Sequence, residues 1–118
     1  MIESRRLESS IALARQKLAS PRSCERERQA WCVWLMKIIV RSAFELVSHH
    51  EHCHTRELRA CAAIFSKHHP EQAAAVDRAV AWAVNPTDDG IAIIALLDGF
   101  GAWLVALQKT YAIHMPAG

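Results

Sequence analysis

The sequence predicts an all-α protein, a single up-and-down-like bundle of about five helices. Three observations carry this. Only four Gly and four Pro occur among 118 residues, and alanine is abundant, a balance that favours helices over a strand-rich sandwich. Apolar residues recur at spacings of three and four through long stretches instead of alternating. Turn and cap signals at Ser20-Pro21, Thr55, Pro70 and Asn85-Pro86-Thr87-Asp88-Asp89 divide the chain into five such stretches. The length suits one domain, residues 1–118, with a hydrophobic core that needs no staples.

The first helix is expected over about Glu3 to Ala19, where Ile2, Leu7, Ile11, Ala14 and Leu18 form one apolar stripe. Ser20 and Pro21 end it and open the second, Ser as N-cap and Pro in the first turn. The second runs about Arg22 to His49. Cys32, Leu35, Met36, Ile39, Ala43, Leu46 and Val47 follow the helical repeat, while Lys37, Arg41 and Glu45 share another face. Trp31 and Trp34 widen the apolar surface, so this helix should meet two neighbours. Thr55 is read as the cap of a third helix, about Arg56 to Lys67, with Leu58, Cys61, Ala62 and Phe65 inward. Pro70 starts a fourth at its N1 position, with Glu71 at the positive end. The fifth runs about Asp88 to Ala112, behind a cap cluster rich in acids. Ile93, Leu97, Phe100, Leu104, Leu107 and Tyr111 give it a heptad-like seam. Other apolar residues surround that seam, so this helix should be central or shared with a second chain as a homodimer.

Net charge is +2, with 52% apolar and 22% charged residues, the balance of an ordinary globular domain. Residues 1–59 carry 11 Lys and Arg against 7 Asp and Glu; residues 60–118 carry 3 against 5. The basic residues of the first half are interleaved with acids at helical spacing, which reads as a solvated face and not as a nucleic-acid stripe. Cys24, Cys32, Cys53 and Cys61 contain no CxxC pair, and no apolar leader follows Met1. They are read as reduced cytoplasmic thiols. The stretch Ile91 to Leu107 is apolar except for Asp98. A central acid and two glycines argue for a bundle helix instead of a membrane span.

Two constellations could carry chemistry. His49-His50-Glu51-His52-Cys53-His54 gathers metal-ligating side chains, among which His50, His52, Cys53 and His54 are the candidate ligands for zinc. Zinc wants four ligands in a tetrahedron, usually from two separated pairs; only His68-His69 could supply the second pair here. A solvated His-rich loop explains the same residues. The second constellation is Arg41, Glu45 and Arg56. Arg41 and Glu45, four apart, can bridge each other. Alternatively Arg41 binds a phosphate or carboxylate, oriented by Glu45 and joined by Arg56. Asp98, an acid within an apolar helix, needs a partner or a pocket, and Arg41 is the expected partner. Asp88-Asp89 read as a helix cap, and Gly99-Phe100-Gly101 lacks the strand-to-helix context of a phosphate loop.

Several stretches carry a resemblance: Ile39-Val40-Arg41-Ser42-Ala43-Phe44-Glu45-Leu46-Val47, Thr55-Arg56-Glu57-Leu58, Phe65-Ser66-Lys67-His68-His69-Pro70-Glu71, Ala83-Val84-Asn85-Pro86 and Leu97-Asp98-Gly99-Phe100-Gly101-Ala102-Trp103-Leu104. Over residues 34–111 the chain resembles the C-terminal helical, HEPN-like domain of small bacterial nucleotidyltransferase-domain proteins. The resemblance implies a substrate-binding or dimerisation module, with Arg41, Glu45, Arg56 and Asp98 as substrate-binding residues. It implies a nucleotidyltransferase catalytic domain or chain as partner. The catalytic signature, a Gly-Ser turn followed by paired Asp on a strand, is missing from these residues. Magnesium-nucleotide would therefore come only through that partner, and the chain carries no catalytic residue or cofactor of its own. A stand-alone HEPN-type RNase is the alternative. Its Arg-spacer-His pattern is imitated only by Lys109 and His114, with Lys in place of Arg. A metal-binding helical protein using the His cluster is the third reading.

Overall fold

A computed structural model describes residues 3–20, 22, 24–51 and 55–114. These are helical almost throughout, and no strand occurs among the described residues. In order they form α1 (Glu3–Ala19), α2 (Glu25–Glu51), α3 (Leu58–His68), a 3-10 turn (Pro70–Gln72), α4 (Ala73–Val84), α5 (Gly90–Leu96), a π-helical turn (Leu97–Gly101) and α6 (Ala102–His114). The last three elements follow without a break as one rod, so the all-α bundle has five rods.

The 27-residue α2 is about 40 Å long at 1.5 Å per residue. It spans most of the 45 Å long axis and touches α1, α3, α4 and α6, more neighbours than the two expected. Its apolar stripe enters the core as the periodicity predicts: Cys32, Leu35, Met36, Ile39, Ala43, Leu46 and Val47 are all buried. Leu7, Ile11, Ala14 and Leu18 of α1 close one side. Phe65 of α3 and Val76 and Val80 of α4 close another. Trp31 and Trp34 meet edge to face at 5.3 Å, with Trp34 exposed.

The caps differ from expectation at two places. The N-cap of α3 is Glu57, whose carboxylate accepts from the Arg59 and Ala60 N–H groups at 3.0 and 2.9 Å. Thr55 sits one step back: its Oγ1 accepts from Glu57 N at 3.2 Å and holds the capping residue in place. At the other junction Ser20 Oγ accepts from Arg22 N at 3.3 Å, a local turn, and α2 begins only at Glu25. The acidic pair Asp88-Asp89 has two jobs. Asp89 Oδ1 caps α5 by accepting from Ala92 N at 3.1 Å. The Asp88 carbonyl accepts from Arg28 Nε at 2.9 Å and ties α2 to the α4–α5 connection.

The rod shows the largest departure. The expected seam holds through Ile93, Leu97, Phe100 and Leu104, all buried. Beyond Leu104 the next buried residue is Gln108, and Leu107 is only half-buried. The π turn at Leu97–Gly101 interrupts the α-helical repeat, a feature that a heptad count cannot anticipate. The side chain of Tyr111, the last seam residue expected, lies outside the described residues. The rod residues 90–110 have mean hydropathy 2.1 and are long and apolar enough to cross a membrane, yet only 28% of that stretch is buried in the bundle. Ile91, at 84% exposure, is its most open apolar side chain.

Candidate functional site

An α-helix places residues three and four apart on one face, so Ile38, Arg41, Ser42 and Glu45 of α2 line up away from the core stripe. The chain returns to them at Thr55 and Arg56, just before α3. This segment is pinned at both ends of its backbone. Glu57 N bonds to Thr55 Oγ1, and the buried Cys61 thiol donates to the Thr55 carbonyl at 3.7 Å. Between the two elements lies an open cavity of about 390 Å³ lined by Ile38, Arg41, Ser42, Phe44, Glu45, Thr55 and Arg56. Its size suits a small-molecule site.

The structure therefore brings three of the sequence-predicted residues together: Arg41, Glu45 and Arg56 share one cavity. No Arg41–Glu45 salt bridge forms among the described residues. Arg41 Nε is buried and has no hydrogen-bond partner among them. A buried donor left unpaired costs about 1–3 kcal/mol, so a native protein that keeps one invites a functional explanation. Two guanidinium groups against one carboxylate give the cavity a net positive lining. Ser42 and Thr55 add hydroxyls that sequence reasoning did not single out. No linear motif marks them: Ser42 lies on the α2 face of Arg41 and Glu45, and Thr55 lines the same cavity from the segment before α3.

Asp98 is not part of this site, and the expected Arg41–Asp98 pair is not formed. The Asp98 carboxylate is 60% exposed and meets Arg15 Nη2 of α1 at 2.7 Å. The physical reason is the face it occupies: the rod turns Leu97, Phe100 and Gly101 inward and leaves Asp98 and Gly99 to solvent. An acid there needs no buried counter-charge.

The candidate zinc ligands His50, His52, Cys53 and His54 have side chains outside the described residues. Among the described residues no group of three His, Cys, Asp or Glu could hold a metal ion. His69, considered as part of a second ligand pair, lies in an aromatic cluster. Its ring is 5.1 Å from Phe65 and 5.2 Å from Trp103, with Nδ1 3.5 Å from the Glu71 carboxylate. Lys109, part of the RNase-like spacing, is bound to Glu8 at 3.3 Å. Cys24, Cys32 and Cys61 form no disulfide among the described residues.

Comparison of the chain with protein-family models, with characterised proteins and with solved structures finds no match.

Proposed function

We propose that this chain is a non-catalytic helical binding module, and that the cavity between α2 and the start of α3 receives a phosphate or carboxylate group of a small ligand. The observation that carries this is Arg41: it lines the cavity beside Arg56, and its buried Nε has no hydrogen-bond partner among the described residues. An anion seated in the cavity would accept from the Arg41 guanidinium in a charge-assisted hydrogen bond. Arg56, Ser42 and Thr55 offer further donors. Glu45 repels a second anion and accepts from a hydroxyl or amine elsewhere on the ligand. Ile38 and Phe44 give an apolar wall for the ligand's body.

The resemblance over residues 34–111 supports the wider reading. On it, this module binds substrate beside a nucleotidyltransferase catalytic domain or chain, which brings the magnesium-nucleotide.

Titration calorimetry with inorganic phosphate and with citrate tests the site. Saturable binding of either, lost in Arg41→Ala and weakened in Arg56→Ala, is the expected result. Neither anion binding the unmodified protein would sink the proposal. So would binding that survives both substitutions.

A further inference from the structure

The outward face of α2 does not end at the cavity. Ile38, Arg41 and Glu45 line the cavity, and one helical turn before Ile38, on the same face, stands Trp34. Trp34, Ile38, Arg41 and Glu45 step by four, three and four residues, the spacing of one unbroken strip. The Trp34 side chain is 40% exposed. Of the four tryptophans it alone is exposed; Trp31, Trp82 and Trp103 are partly buried. Trp31 meets it edge to face, with the ring planes at 89°. That contact braces the indole and still leaves part of it open to solvent.

We infer that the ligand whose anionic group sits at Arg41 and Arg56 also carries a planar aromatic ring, and that this ring stacks on Trp34. The inference rests on the anion site proposed above and names the class of molecule it takes: an aromatic ring tethered to a phosphate or carboxylate. Trp34 and Arg41 are seven positions apart, about 10 Å along a helix axis. Side chains on a helix lean alike toward its N-terminus, so this spacing carries over to indole and guanidinium. An extended chain advances about 1.2 Å per bond, so a tether of roughly five or six bonds lets one molecule reach both. A ring bonded directly to its phosphate is too short and reaches one of the two. Ile38 lies between them and gives the tether an apolar floor.

A flat indole surface matches a flat ring, and offset stacking adds to the apolar area that the contact buries. The two residues then divide the work. Arg41 sets the requirement for an anion, and Trp34 sets the preference among anions without closing the cavity to small ones.

Titration calorimetry of the full chain with 4-phenylbutyl phosphate and with butyl phosphate reads that preference. The aryl compound is expected to bind on the order of tenfold more tightly. It should also shield tryptophan fluorescence from acrylamide, which in the free protein reaches the exposed Trp34 first. Trp34→Leu keeps an apolar side chain and removes the ring. It should bring the two affinities together and leave butyl phosphate binding unchanged, which also shows that the variant folds. Trp34→Phe should retain part of the preference, and Arg41→Ala should abolish binding of both compounds. Equal affinities in the unmodified protein overturn the inference and leave the anion site standing. A preference that survives Trp34→Leu overturns it too and places the ring elsewhere. Aryl binding indifferent to Arg41→Ala, or no binding of either compound, overturns it together with the anion site.

Discussion

The Arg15 guanidinium lies 2.7 Å from the Asp98 carboxylate, with both side chains substantially exposed. Exposed pairs of this kind contribute about 0–1 kcal/mol. Asp98→Asn should therefore change the unfolding free energy by less than about 1 kcal/mol. It should not rescue any defect of Arg41→Ala, because the two residues do not meet. Urea denaturation of the two single variants and the double variant checks this. A coupling between them above about 1 kcal/mol would place Asp98 and Arg41 in contact after all.

Arg41 leads to the opposite of the usual expectation for a half-buried cation. Its buried Nε has no partner among the described residues, so replacing the side chain with an apolar one of similar length removes a cost. Arg41→Met should leave stability unchanged or raise it by about 1 kcal/mol, while abolishing anion binding. Arg41→Lys keeps the charge but loses the planar fork, and should bind anions far more weakly. Denaturation and calorimetry on the same preparations separate the two effects. A large destabilisation by Arg41→Met would show that Arg41 serves the fold and not a ligand.

Helix caps offer a sharper stability test. Glu57 satisfies two N–H groups of α3, and Asp89 satisfies one of α5. Capping substitutions to Ala typically cost about 0.5–2 kcal/mol. Glu57→Ala and Asp89→Ala are each expected to fall in that range. Glu57→Ala should also weaken anion binding, since the cap fixes the segment that carries Thr55 and Arg56. Thermal unfolding and calorimetry measure both. Asp89→Ala, remote from the cavity in sequence and element, should leave binding intact.

Much of the bundle is legible in the sequence because helical periodicity reports which face is buried. Leu7, Ile11, Ala14 and Leu18 form the inward stripe of α1 as their spacing predicts, and so do the seven stripe residues of α2. Periodicity does not report what crosses between helices. Asp98 finds Arg15 because α1 packs beside the rod, a fact held in no local pattern. The seam departs from the count after Leu104, where Gln108 is buried in place of Leu107. Arg41 and Glu45 were visible as one-turn neighbours, and Arg56 as a nearby cation. Ser42 shares their face of α2 by helical spacing, whereas Thr55 joins them only where the start of α3 packs beside α2.

The two rod glycines should respond differently to alanine. Gly99 has open space where a Cβ would go, whereas at Gly101 that atom would lie 3.2 Å from Ile11 Cδ1. Glycine inside a helix costs about 0.5–1 kcal/mol relative to alanine. Gly99→Ala should realise that gain. Gly101→Ala must first displace the Ile11 side chain in the α1 contact, so its gain should be smaller or reversed. Thermal melts in dilute protein decide the order, and a more stable Gly101→Ala would mean that α1 yields easily at Ile11.

Cysteine chemistry gives a prediction with a defined pH direction. Cys24 is exposed, while Cys32 and Cys61 are buried. An alkylating reagent at neutral pH should label Cys24 in the native protein and reach Cys32 and Cys61 only on unfolding, as peptide mass spectrometry would show. Burial pushes the Cys32 thiol above its ordinary value of 9.0, against a smaller lowering from a backbone hydrogen bond at Thr87. Below 9.0 the thiol is protonated in both folded and unfolded chains, so its contribution to stability is fully present. As pH rises past 9.0 the unfolded chain gives up its proton first, and the folded state loses that contribution until its own higher pKa is passed. Cys32→Ala removes the titration along with some packing. It should be less stable at neutral pH, yet lose stability less steeply above pH 9.0. Denaturation midpoints measured on both proteins across that window decide it: parallel slopes would mean that Cys32 ionises as easily folded as unfolded.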